Sequence, residues 1–444
     1  MRAAGHSESM RNVFVLGLDE FNKRELQSIR EAEACRFVGL LDYDEIVLPE
    51  NGEFHFEALR RQAEEQLDGH GGSVDGIIAF WDFPSSAMAG VLRNARGLPG
   101  PSNEAIARCE HKYWSRIEQR AVVPELVPAF QAVDPFADDP AALIELDYPF
   151  WIKPVKAHSS RLGFLINGPD DLHAHLPEIR EKIGFFGRPF DEYLRHVAVP
   201  DEIRPVTGHW CIAEGIISAG RQCTLEGYVY QGAVRVYGVV DSIRTGRHRS
   251  SFSRYQYPSG LPRRVQASMV RAAEKVMQRF RYDCGAFNME FYWHPETDRI
   301  SLLEVNARIS KSHCPLFRLV DGASHQSVAV DLALGEDPRF PQRQGEYRLA
   351  GKFMVRTFCD DGIVRAMPSA EELDRMRARY PEARFRPLAE PGERLRDSHH
   401  YDSYSYELGD LFLGAGDQRE LLHKYRDCMA MLSFEVEPTG QDAA

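Results

Sequence analysis

The stretch FNMEFYWHPETDRISLLEVNARIS, residues 287–310, constrains this chain more than any other. Two apolar runs flank HPETD, whose proline and aspartate suit a turn, so the segment reads as an antiparallel hairpin. With the hairpin centred on Thr297, Glu290 and Glu304 stand opposite each other. Opposed side chains lie about 5 Å apart at Cβ, and like charges there repel. Alternation puts Glu304, Asn306 and Arg308 on one face and Leu303, Val305 and Ala307 on the other. Two carboxylates and an amide oxygen on one sheet face ask for a cation. Such an all-oxygen set suits magnesium, which takes one or two carboxylates and leaves its other positions to water and phosphates. The bland alternative is a solvated face, and the rest of the chain has to decide between them.

Lys153 lies in PFWIKP, a β-like run from Pro149 to Pro154 that would bury much of its stem. The KAHSSRLG that follows offers small residues and backbone N–H groups, a candidate anion nest or an ordinary surface turn. Upstream, the first hundred residues alternate short apolar runs (Val13 to Leu18, Arg36 to Leu41, Val74 to Trp81) with helical stretches. That pattern suggests parallel strands with crossover helices. GLPGPSN, from Gly97 to Asn103, is turn-rich and marks a domain edge, after which a helix carries His111 and Lys112. Leu126 to Asp147 reads as loop, Glu202 to Val240 as successive strands. Arg263 to Phe280 has Val265, Met269, Ala273, Val276 and Phe280 on one helical stripe.

Taken in order, these segments resemble the ATP-grasp superfamily over roughly residues 12–335. The resemblance rests on Lys112 after a G-L-P-G-P-S turn, on Lys153 before the loop with His158, Ser159, Ser160 and Gly163, on Glu214 of IAEGII, and on E…L-L-E-V-N-A-R. The last motif, with Glu290, Glu304, Asn306 and Arg308, is the most specific. It implies an α/β chain in three parts. These are an N-terminal parallel α/β domain (1–108), an ATP-grasp domain (109–340) of two α+β lobes (about 109–200 and 201–340), and a small C-terminal α+β domain (341–444). It also implies ATP and magnesium, with manganese as a substitute. Lys112 and Lys153 would meet the phosphates, with the Ser159, Ser160 loop closing over them. Glu214 and the backbone near Ile217 would hold the adenine, and Gln222 stands where many relatives place a ribose-binding acid. Glu290, Glu304 and Asn306 would hold the metal. Arg308 would face the transferring phosphoryl group, making it a catalytic candidate with Glu304 and Lys153.

Composition narrows the partners. A net charge of −12 argues against broad contact with a nucleic-acid backbone. No apolar run approaches the ~18 residues of a membrane span, and the eight cysteines form no C-x-x-C pair, so a cytoplasmic protein acting on small molecules is expected. A homodimer is an open expectation. Against the negative background, the stretch 242–262 concentrates Arg244, Arg247, His248, Arg249 and Arg254, candidates for carboxylate recognition or simply a surface loop. Lys311 and His313 follow the metal motif and are further substrate candidates, His313 being a structural histidine on the plainer reading.

The resemblance implies an ADP-forming enzyme that activates a carboxylate and joins it to an amine. The biotin carboxylase branch is the competitor. It carries a glycine-run loop where this chain has VKAHSSRLG, and a glutamate base where this chain has Ser312. A non-catalytic ATP-binding module is the other alternative.

Overall fold

The apolar runs near the N-terminus pair as parallel strands in a computed structural model of the chain, which describes residues 10–47, 55–157, 162–245, 251–398, 400–402 and 405–439. Arg11–Leu16 lies between Cys35–Leu40 and Gly76–Ala79. Both faces are covered: Phe14 and Leu16 enter one core, Val13 and Val15 another. That two-sided burial is why the run reads as continuously apolar. Helix Ser85–Arg96 ends at Gly97, whose φ of +64° is a left-handed cap, and Ser102 caps the next helix, Asn103–Glu110. The single helix expected around His111 is two. His111 ends the first and caps the second, Lys112–Val122, its ring accepting the Trp114 N–H.

A four-stranded antiparallel sheet follows, in the order Phe130–Val133, Cys211–Gly215, Phe150–Pro154, Phe164–Ile166, with Leu172, Leu176 and Ile179 of helix Pro169–Lys182 in its core. Phe130–Val133 falls in the stretch expected to be loop; four residues are too few to show a period.

The largest sheet has nine antiparallel strands. Eight run in the order Arg299–Asn306, Gly285–His294, Arg221–Tyr230, Ala233–Thr245, Ser251–Tyr257, Leu349–Thr357, Ser405–Ala415 and Arg384–Pro387, and Tyr401–Asp402 pairs with Ser405–Ala415. Strands from the last hundred residues thus extend the sheet of residues 221–306. Helix Arg263–Phe280 packs on one face with its expected stripe buried; each large apolar side chain there contributes roughly 1.5–3 kcal/mol. The opposite face is polar and carries the acid hairpin. Most of 242–262, expected as a loop, is two paired strands. Arg247, His248 and Arg249 lie outside the described residues. All eight cysteines are unpaired, and no described helix is long and apolar enough to cross a membrane.

Candidate active site

The acid hairpin is Gly285–His294 paired with Arg299–Asn306. His294 faces Arg299, so the turn is centred between Glu296 and Thr297, and a regular ladder from there would set Glu290 against Leu303. The register shifts instead. Phe291 faces Leu302 and Glu290 faces Glu304, leaving Leu303 as the extra residue of a β-bulge. The carbonyls of Leu302 and Leu303 accept from Arg116 Nη1 and Nη2 at 2.9 and 2.8 Å. Arg116 is buried, and its Nε reaches Glu214 at 2.5 Å. One arginine therefore ties the hairpin to the four-stranded sheet.

The opposed acids are electrostatically uncomfortable. Burial, then the charge of Glu304, pushes Glu290 up to about 8, against the pull of a Gln222 hydrogen bond and of Arg308 and Arg244. The neighbouring amides are oriented by a chain of bonds. Asn288 donates to the Arg308 carbonyl at 3.0 Å, so its own oxygen accepts from Asn306 Nδ2 at 3.0 Å. The end of Asn306 left over is its carbonyl oxygen. Two carboxylates forced together beside an amide oxygen fit a hard divalent cation.

Glu304 and Asn306 line one wall of a cleft with about 460 Å³ of empty space, part of it open to solvent. Lys112, Lys153, Lys156 and Glu214 are among its other lining residues. Lys112 Nζ donates to the Ala157 carbonyl at 2.7 Å. Burial first, then the charges of Lys156 and Lys153, bring it down to about 7, with Glu304 pulling the other way. Lys153 meets Glu214 at 2.5 Å. Burial alone would raise Glu214, but Arg116 and Lys153 hold it at about 2. Lys156 is buried and paired with Glu110, which also accepts from Ser86 at 2.5 Å. The sequence reading missed Lys156 and Arg116. Lys156 lies between Val155 and Ala157, and Arg116 in the mixed run WSRIEQR, settings that many solvated side chains share.

The other sequence candidates divide. Glu214 has both oxygens engaged by cations, so its carboxylate braces Lys153 where an adenine contact was expected. Ile217 lies in the connection after strand Cys211–Gly215. Gln222, expected at a ribose, sits beside the acid pair: it donates to Glu290 at 2.8 Å and accepts from Tyr292 and Arg244 at 3.0 and 3.1 Å. Arg308 is held at 2.6 Å by Asp82, from the connection after strand Gly76–Ala79. His313 is buried and bonded to Glu226 at 2.8 Å. Arg254 is corrected: it is in register with Ile243 and Phe353, and so projects from the sheet face opposite to Gln222 and Arg244, away from the cleft. Ser159 and Ser160 lie outside the described residues.

The family model "Carbamoyl-phosphate synthase L chain, ATP binding domain" matches residues 248–339. The C-terminal section of the carbamoyl phosphate synthase large chain of Methanopyrus kandleri is 21% identical over 207 residues, 45% of this chain and 34% of that one. This chain therefore spans about a third of that relative's length. Among solved structures, an L-amino acid ligase from Bacillus licheniformis superposes with a TM-score of 0.69 at 15% identity, covering 97% of this chain and 99% of the other. A biotin carboxylase from Campylobacter jejuni gives 0.64 at 16% identity, covering 98% and 94%. The acid hairpin and the lysine-lined cleft therefore sit in a fold that this chain shares, over nearly its whole length, with that L-amino acid ligase and that biotin carboxylase.

Proposed function

We propose that the protein is an ADP-forming ligase that uses ATP to activate a small carboxylic acid and passes the acyl group to an amine. The observation that carries this reading is that Glu304, the strand partner of Glu290, lines a cleft together with Asn306, Lys112 and Lys153. Glu290, Glu304 and the Asn306 oxygen would hold magnesium, which supplies charge neutralisation for the phosphates. Lys112 and Lys153 would bind the phosphate oxygens, Lys153 being positioned by Glu214 and Glu214 in turn by Arg116. Phosphoryl transfer is catalysed mainly by such positioning and charge compensation. A substrate carboxylate oxygen attacks the γ-phosphorus, the bond to the β-phosphate oxygen breaks and ADP leaves. The amine nitrogen then attacks the acyl carbon, phosphate departs and the nitrogen loses a proton to solvent. Arg308, anchored by Asp82, would offset the negative charge of the acyl phosphate. Ser312 in the place of a base argues against bicarbonate chemistry.

ADP and phosphate release, measured with ATP, magnesium and a panel of acids and amines, tests this. Release that needs both an acid and an amine supports the ligase. Release with bicarbonate and biotin supports the carboxylase, and ATP binding without release would leave a non-catalytic module.

A further inference from the structure

Beyond Arg308, the acids Asp402, Glu407 and Asp410 of the large sheet are paired with Lys352, Arg356 and Arg386, and none of the three is paired with Lys311. Lys311 Nζ lies 3.2 Å from the centre of the Trp81 ring. That ring is fixed by its N–H bond to the Gly17 carbonyl at 2.9 Å and by the edge-on contact of Tyr43 at 5.0 Å. The charges acting on Lys311 are three cations, Arg386, Lys352 and Arg308, and one acid, Asp19. Asp19 Oδ1 is already engaged by the backbone and side-chain amides of Asn22. Lys352 and Arg386 share Asp410, at 2.9 and 2.5 Å, and Arg308 belongs to Asp82. Arg386 Nε is buried with no hydrogen-bond partner among the described residues, its guanidinium lying over the Phe21 ring at 4.7 Å, and Lys311 has no ion-pair partner among them. Burial, with the repulsion of its neighbours, brings Lys311 down to about 7.

A buried lysine among other cations is costly unless an anion completes the site, and the Trp81 face beneath Lys311 offsets only part of that cost. Lys311 and Trp81 come from different domains, so such an anion would bridge the N-terminal domain and the sheet. We propose that Lys311, backed by Lys352 and Arg386 and floored by Trp81, holds a second, non-reacting carboxylate of the substrate. The molecule activated is then a small diacid or an acidic amino acid. This rests on the ligase reading for the fate of the other carboxylate, but the anion site can be tested without turnover.

Calorimetric titration of the full chain without nucleotide decides the matter. The probes are L-aspartate, L-glutamate, L-asparagine, L-glutamine and inorganic phosphate, with a non-hydrolysable ATP analogue and magnesium in a separate arm. At least one acidic amino acid should bind, about tenfold or more tighter than its amide. Lys311→Met should lose that preference, Lys311→Arg should retain it, and analogue binding should be unchanged in both. Equal binding of acid and amide, no binding by either acid, tighter binding of phosphate, or an unaltered Lys311→Met would overturn the site. Failure of the wild-type protein to bind the analogue would instead strike the ligase reading and leave the anion site standing.

Discussion

Glu290 faces Glu304 because Leu303 is bulged out of the ladder, and the carbonyls of Leu302 and Leu303 are held by Arg116. The pairing of the two acids is thus a property of the hairpin and of one buried arginine from a helix nearly two hundred residues earlier.

Removing one member of the pair should separate stability from metal binding. Glu304→Gln is expected to stabilise the protein in chelator by about 1 kcal/mol, since like charges opposed on a sheet repel. Added magnesium should raise the melting temperature of the wild type and not of the variant, and turnover should be lost. Thermal denaturation with and without magnesium reads both; an equal magnesium shift in the two proteins would remove Glu304 from the metal site.

Lys153 and Arg116 both touch Glu214 but should behave differently. Lys153→Met leaves the Arg116 pair in place, so the fold should persist while ATP affinity falls about tenfold or more. Arg116→Met leaves one oxygen of the buried Glu214 and two bulge carbonyls without their donors, costing roughly 3–5 kcal/mol. Chemical denaturation and nucleotide titration distinguish them, and similar losses of stability in both variants would contradict the assignment.

Gln222→Glu would place a third carboxylate where an amide N–H now bonds Glu290. The metal-free variant should be less stable by roughly 1–3 kcal/mol, with the deficit shrinking as the pH is lowered and the carboxyls take up protons. A deficit that stays constant from pH 8 to pH 5 would show that repulsion is not its origin.

His111 predicts an acid-side loss of stability. Its Nε2–H donates to the Val206 carbonyl at 2.8 Å and its Nδ1 accepts the Trp114 N–H, so only the neutral ring fits. Burial holds it at about 4, below its ordinary 6.5. The unfolded chain therefore takes up a proton that the folded chain refuses. The contribution is fully present above pH 6.5 and falls by on the order of 3 kcal/mol as the pH drops toward 4. Asparagine can still cap the helix without titrating, so His111→Asn should flatten this slope by about one proton. An unchanged slope would assign the acid sensitivity elsewhere.

Local rules went furthest where structure is local. The turn residues and alternation of 287–310 made the hairpin and its acid face legible. The helical stripe of 263–280 and the first three parallel strands were equally plain. Reading failed where the signal was short or shared: Phe130–Val133 has too few residues for a period, and a stretch rich in arginine proved to be mostly strand. Arg254 was grouped with Arg244 by proximity in the chain, yet a sheet sends the two to opposite faces.

From its sequence alone, this protein determines a paired-acid hairpin, two lysine-bearing segments and the order in which they occur, because turns and two- or three-residue periods are written into neighbouring residues. Tertiary structure alone decides that Arg116 clamps the bulge, that Glu214 braces Lys153, that Asp82 holds Arg308 and that Trp81 lies under Lys311. Each of those contacts joins residues far apart in the chain, and such a pairing leaves no periodic trace in either segment.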